Sequence, residues 1–184
     1  NLIKNMKIYL SKINESWIVD RFRQDWYKHN QDISSKSIHK SDTIWIISPW
    51  VWKKIPKRHL KNKKVVCSIY HIDFDSFDGK EEKDFQDRDK YVDFYHVISK
   101  NTEKQLKKLT DKKIISIPFW VDSDLWFPLD DKYELREQLG FGKEDYLIGS
   151  FQRDTEGFDL ESPKLIKGPD IFLKIIEQIY NKNK

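Results

Sequence analysis

The sequence predicts an α/β protein whose core is a parallel sheet with helices on both faces. Three observations carry this. Short apolar strand candidates alternate with helical stretches, the pattern of crossover connections between parallel strands. One of them, Lys64–Tyr70 (KVVCSIY), is a β-branched run of the kind buried on both faces of a sheet. Seven Trp and eleven Phe among 184 residues supply apolar volume for a core, although charged residues reach 35%. The expected architecture is Rossmann-like.

In chain order, Lys7–Leu10 is the first strand and Ser11–Ser16 a polar connection. Met6 is a candidate start, with Asn1–Asn5 a remnant or an upstream extension. Trp17–His29 has helical spacing, with Ile18, Phe22 and Trp26 on one face. Asn30–Asp42, rich in Ser, Asn, Asp and Lys, reads as a mobile loop. Thr43–Ser48 is the second strand, stopped by Pro49, and Trp52–Leu60 a short basic helix interrupted by Pro56. The third strand, Lys64–Tyr70, delivers His71 to its C-terminal end. Phe74–Lys90 is acidic and partly helical. Phe94–Ile98 is the fourth strand, Ser99 caps a helix over Asn101–Leu109, and Lys113–Ile117 is the fifth strand.

These elements divide the chain into a first domain (1–118), a linker with a helix (119–144) and a βα unit of a second domain (145–184). On the last helix Phe172, Ile175, Ile176 and Ile179 form an apolar stripe. A lone βα unit cannot cover that stripe. It either packs on the first domain or belongs to a longer second Rossmann-like domain, and the second alternative is preferred.

A net charge of +4 gives no reason to expect a nucleic-acid partner. The single Cys67 lies inside a strand candidate and suggests a buried thiol in a reducing compartment. The longest near-apolar run, Thr43–Trp52, falls short of the ~20 residues of a spanning helix. A cytoplasmic protein, soluble or peripheral to a membrane, is expected.

The chemistry concentrates in Tyr146–Asp170 (YLIGSFQRDTEGFDLESPKLIKGPD). Tyr146–Ile148 reads as a strand ended by Gly149, and Gly168-Pro169-Asp170 as the start of a helix. Between them lie Arg153, Lys164 and Lys167. Strand, basic loop and helix N-terminus together make a phosphate receptor, because N–H groups and the helix dipole attract the anion and fixed cations clamp it.

Upstream, Lys113–Pro128 (KIISIPFWVDSDLWFP) is a strand broken at Pro118, followed by Val121-Asp122 and an aromatic-Pro stop. Asp131–Leu139 then supplies a helix and Gly140-Phe141-Gly142 its end. This order resembles the interdomain linker of GT-B glycosyltransferases of the family 4 type. The resemblance covers most of the chain and is most specific from Ile114 to Ile176. It implies a retaining transferase that moves a sugar from a nucleotide-diphospho-sugar to a glycan or lipid-linked acceptor, with no metal or other cofactor. Arg153 and Lys167-Gly168 match the family's diphosphate-binding positions, with Lys164 competing for the role across a long loop. His71 matches a residue that lies beside the transferred sugar and carries the catalytic expectation.

The chain departs from the family in three places. Ser11–Ser16 has no glycine where the family's first loop is Gly-rich. Phe119-Trp120 replaces the linker's usual Asn-Gly. The family's acid pair, seven residues apart, that holds the donor ribose and sugar would fall beyond Lys184, so this chain alone is expected to be inactive.

Two other patterns bear on function. Asp73, Asp75 and Asp78 contain a D-x-D pair that could hold a divalent cation, but their acidic neighbourhood suits a solvated surface better. Lys53, Lys54, Lys57, Arg58, Lys61, Lys63 and Lys64 follow Trp45, Trp50 and Trp52, so Lys53–Lys64 is a candidate contact with anionic lipid, or a solvated helix. The alternative to an enzyme is a non-catalytic Rossmann-like binding subunit completed by another chain. A dehydrogenase is disfavoured because G-x-G-x-x-G does not follow the first strand.

Overall fold

The structure, a computed structural model, describes residues 6–75, 77–151, 155 and 161–182. It divides into two compact units, Asn1–Phe127 and Pro128–Lys184.

The first unit is the expected α/β layer structure. Its strands are β1 (Ile8–Leu10), β2 (Thr43–Ile46), β3 (Lys64–Ile69), β4 (Phe94–Val97) and β5 (Lys113–Ser116), all parallel and ordered β1-β2-β3-β4-β5. The intervening helices are α1 (Ile18–His29), α2 (Lys57–Asn62), α3 (Gly79–Asp89) and α4 (Lys100–Leu106). Leu10, Ile44, Ile46, Val65, Cys67, Tyr95 and Val97 are inaccessible, which is why these runs are apolar despite the polar composition. Burial pushes the Cys67 thiol up to about 11, so it remains a protonated packing group.

Helices lie on both faces, and one contact explains how. Ser34 forms a parallel bridge to Ile8 on the side of β1 away from β2, with Ser35 N–H donating to Ile8 O at 2.9 Å. The chain therefore leaves β1 in one direction through α1 and returns in the other to β2. Right-handed crossovers in opposite directions place their helices on opposite faces. Accordingly Trp26 of α1 packs edge-on against Trp45 at 5.3 Å, while Phe85 of α3 stacks on Tyr95 at 5.9 Å. Trp45 is in register with Val66 and Tyr95 with Cys67, consecutive residues that point to opposite sides. The reversal at β1 is a topological switch point, beside which ligands of open α/β sheets bind.

The segment 30–42 is not the mobile loop its composition suggests. Two 3₁₀ turns, Gln31–Ile33 and Ile38–Lys40, shape it. Trp26 Nε1 donates to Ser34 Oγ at 2.7 Å and the Tyr27 hydroxyl to Ser35 O at 2.9 Å. Its polar side chains and backbone serve as partners for buried aromatic donors. Phe119 and Trp120, placed in the linker from sequence, pack in this first unit against Phe22, Trp26, Trp45, Tyr70 and His96.

The second unit contains α5 (Lys132–Gln138) and α6 (Pro169–Lys182). Asp131 caps α5 by accepting from Tyr133 and Glu134 N–H. Gly140, at φ +79°, ends the helix. Its N–H donates to Glu137 O and that of Phe141 to Arg136 O, the paired bonds of a Schellman motif. Tyr146–Ile148 is not a strand here. A strand exists only against a neighbour, and no ladder partner stands beside these residues among those described. The α6 stripe is likewise exposed at Ile175 and Ile179. No helix among the described residues is long and apolar enough to cross a membrane.

Candidate functional site

In the first unit the C-terminal strand ends open onto a cleft of about 580 Å³, whose wall includes Trp50, His71, Asp73, Phe77, Lys80 and Glu81. His71 follows β3 and is exposed at this edge, where the sequence places it. Trp50 projects from the 3₁₀ turn Pro49–Lys54 after β2, and its Nε1 donates to Glu15 Oε1 at 3.0 Å. That bond ties the loop after β1 to the loop after β2 across the switch point.

The loop after β1 meets its lack of glycine in another way. Asn14 and Ser16 adopt left-handed backbone conformations, φ 60° and 54°, which short polar residues tolerate better than others. Asp20, in the first turn of α1, accepts from Asn14 N–H at 3.1 Å and Glu15 N–H at 2.8 Å. Burial alone would raise the Asp20 pKa; the backbone N–H groups of Glu15, Asn14, Trp17 and Ser16 outweigh it and hold the carboxyl below the usual range. This loop is therefore a nest already filled by the protein's own carboxylate.

The D-x-D residues serve the backbone. Asp78 caps α3, accepting from Lys80 and Glu81 N–H at 3.0 Å each, and Asp73 Oδ1 accepts from Asp75 N–H at 3.1 Å. No three His, Cys, Asp or Glu side chains converge among the described residues in a way that could hold a metal. In the basic stretch, Trp52 is buried with its Nε1 on Asp84, and Trp45 belongs to the sheet's aromatic layer. Lys54, Lys57, Arg58 and Lys61 are exposed.

Under the α1 face lies a polar line that sequence reading missed. Trp45 Nε1 donates to Ser68 Oγ (2.9 Å), Ser68 Oγ meets His96 Nδ1 (2.9 Å), and His96 Nε2 meets Ile117 O (2.7 Å). A carbonyl can only accept, so Nε2 carries the proton and Nδ1 accepts from Ser68. Burial lowers the His96 pKa, opposed by the Ile117 carbonyl. The folded state thus binds fewer protons than the unfolded chain below about pH 6.5, and stability from this group falls as pH drops through that window. His59 is shifted down as well, by burial and by His39, Arg58 and Lys63. His96→Gln is expected to flatten, but not abolish, the fall in melting temperature between about pH 7 and 5. An unchanged slope would show that His96 protonates freely in the folded protein.

In the second unit a 3₁₀ turn over Leu165–Lys167 links Lys164 to Lys167, with Lys167 N–H donating to Lys164 O at 2.9 Å. Thr155 and Pro163 form an isolated antiparallel bridge. Gly168, at φ +69°, then begins α6: its carbonyl accepts from Phe172 N–H at 2.9 Å, and Pro169 is the first helical residue. Only glycine adopts that backbone without strain. Lys164, Lys167 and Gly168 are thereby brought together at one helix start. Arg153 lies outside the described residues. His71 belongs to the other unit.

Comparison of the chain with protein-family models, with curated proteins and with solved structures found no match.

Proposed function

We propose that the protein is a retaining glycosyltransferase of GT-B type, moving a sugar from a nucleotide-diphospho-sugar to a glycan or lipid-linked acceptor. The observation that carries this reading is the start of α6. There a basic turn with Lys164 and Lys167 runs into a left-handed Gly168 and a Pro-initiated helix. That is an anion receptor of the kind a departing diphosphate requires. A parallel sheet with an open cleft at its C-terminal strand ends supports it from the acceptor side.

In this mechanism the glycosidic bond to the diphosphate breaks with charge building on the phosphate oxygens. Lys167 and the positive end of the α6 dipole stabilise that charge, more in the transition state than in the bound donor. Arg153 would share the role. His71, exposed at the acceptor cleft, lies beside the transferred sugar by the family resemblance.

The second unit exposes Ile175 and Ile179 of its apolar stripe, and Tyr146–Ile148 has no ladder partner among the described residues, so binding is a better first measurement than turnover. Calorimetric titration of the chain with UDP- and GDP-sugars is expected to show weak binding that Lys167→Ala removes. Absence of binding by either nucleotide, or binding indifferent to Lys167, would overturn the donor assignment.

A further inference from the structure

The cleft at the strand ends has a wall of mixed character. Three cations, Lys53, Lys80 and Arg88, face three carboxylates, Asp73, Glu81 and Asp84. Lys53 and Arg88 are already paired with Asp84. A diphosphate needs an excess of positive charge, and an acyl chain needs an unbroken apolar wall. This cleft offers neither. A sugar ring needs hydroxyl donors and acceptors side by side, because each of its hydroxyls is both. It also needs a flat apolar surface for its C–H face.

Trp50 supplies that surface. Its indole is 46% exposed, and its only polar atom is occupied by Glu15 at 3.0 Å, so what it presents to a ligand is aromatic. The same bond fixes the ring before any ligand arrives, which lowers the entropic cost of stacking on it. Ile72 and Phe77 extend the apolar floor, and His71, Lys80 and Glu81 provide polar groups at the rim.

We infer that this cleft is the acceptor subsite and that it takes a neutral hexopyranose of a glycan, stacked on Trp50. The inference rests on the transferase reading and specifies its acceptor. Uronic or sialic acids, which bring their own negative charge to a wall of balanced charge, are disfavoured there.

The test is saturation-transfer NMR on the 184-residue chain with neutral trisaccharides of glucose, galactose, mannose and N-acetylglucosamine, and with sialyllactose as the charged comparator. At least one neutral trisaccharide is expected to bind through ring C–H protons. Trp50→Ala should weaken it about tenfold, and Trp50→Phe, which keeps an aromatic face, by no more than about threefold. Melting curves confirm that both variants fold; should Trp50→Ala fail to, Glu15→Ala, which frees the ring, serves in its place with a smaller loss. The inference is overturned if no neutral trisaccharide binds, if sialyllactose binds in preference, or if binding is indifferent to Trp50. Nucleotide titration separates the two levels. Lys167-dependent UDP or GDP binding without sugar binding removes this subsite alone, while failure of both removes the transferase reading with it.

Discussion

Asp84→Ala is expected to lower the melting temperature by roughly 6–12 °C, corresponding to about 3 kcal/mol in a protein of this size. Asp84 is a hub. Its carboxylate accepts from Trp52 Nε1 at 3.1 and 3.2 Å and from Arg88 at 3.3 Å, and it pairs with Lys53. The three partners differ in what they lose. Lys53 is exposed and regains water, so its share is small. The Trp52 N–H is left without an acceptor under a buried ring. Arg88, whose side chain is only 8% exposed and whose Nε has no partner among the described residues even in the wild type, is left as a nearly buried charge without its Asp84 counter-ion. That last loss dominates. Asp84→Asn, which keeps an acceptor for Trp52 but removes the charge, should fall between the two. Arg88→Met, which removes the cation and fills its place on Phe85, should cost far less than Asp84→Ala. Thermal melts of the three variants check the order. Equal losses for Asp84→Ala and Arg88→Met would mean that packing, rather than the uncompensated charge, controls this part of the core.

Lys167→Ala should reduce recognition of the nucleoside diphosphate by one to two orders of magnitude. It is measured as kcat/KM for the donor, or as Kd for UDP or GDP where transfer is too slow to follow. A hydrogen bond to a charged group contributes about 1.5–3 kcal/mol, and each ~1.4 kcal/mol is tenfold. Lys167 is exposed immediately before Gly168, so the cation sits at the positive end of the α6 dipole. Lys164 stands one turn earlier and is half-buried, and Lys164→Ala should cost clearly less. Gly168→Ala probes the same site through the backbone, since a Cβ at φ +69° is strained whatever space surrounds it. If Lys164→Ala is crippled and Lys167→Ala is not, the two lysines exchange roles across the long loop. If neither matters, the diphosphate is held elsewhere.

Much of the first unit was legible because its signals are local. A β-branched run such as KVVCSI forms a strand wherever a neighbour exists, and Ser99 caps the helix that follows it. What was not legible depends on partners distant in sequence. Asn30–Asp42 looks mobile by composition, but Trp26 and Tyr27 need its oxygens. Tyr146–Ile148 looks like a strand by composition and lacks a ladder among the described residues. The candidate site divides in the same way. Gly168-Pro169-Asp170 announces a helix start from three adjacent residues. The Glu15–Trp50 bond and the Trp45–Ser68–His96 line become visible only when the register of three strands is known. The nest around Asp20 left one faint trace, since Asn14 and Ser16 are residue types that accept left-handed backbone.

Strand order follows chain order from β1 to β5, and this bears on how the sheet is made. Each strand pairs with the one synthesised just before it, its paired positions about twenty to thirty-five residues apart in sequence. At roughly 5–20 residues per second a ribosome takes about one to seven seconds to release each next strand, whereas short loops close in well under a millisecond. The sheet can therefore grow at the pace of translation, with no strand held in reserve for a distant partner. Phe119 and Trp120 are the exception. They seal the aromatic layer over Trp45 and His96, and they are made after all five strands. Until they emerge, Trp45 and His96 lack two of the rings that cover them, for a time set by the ribosome.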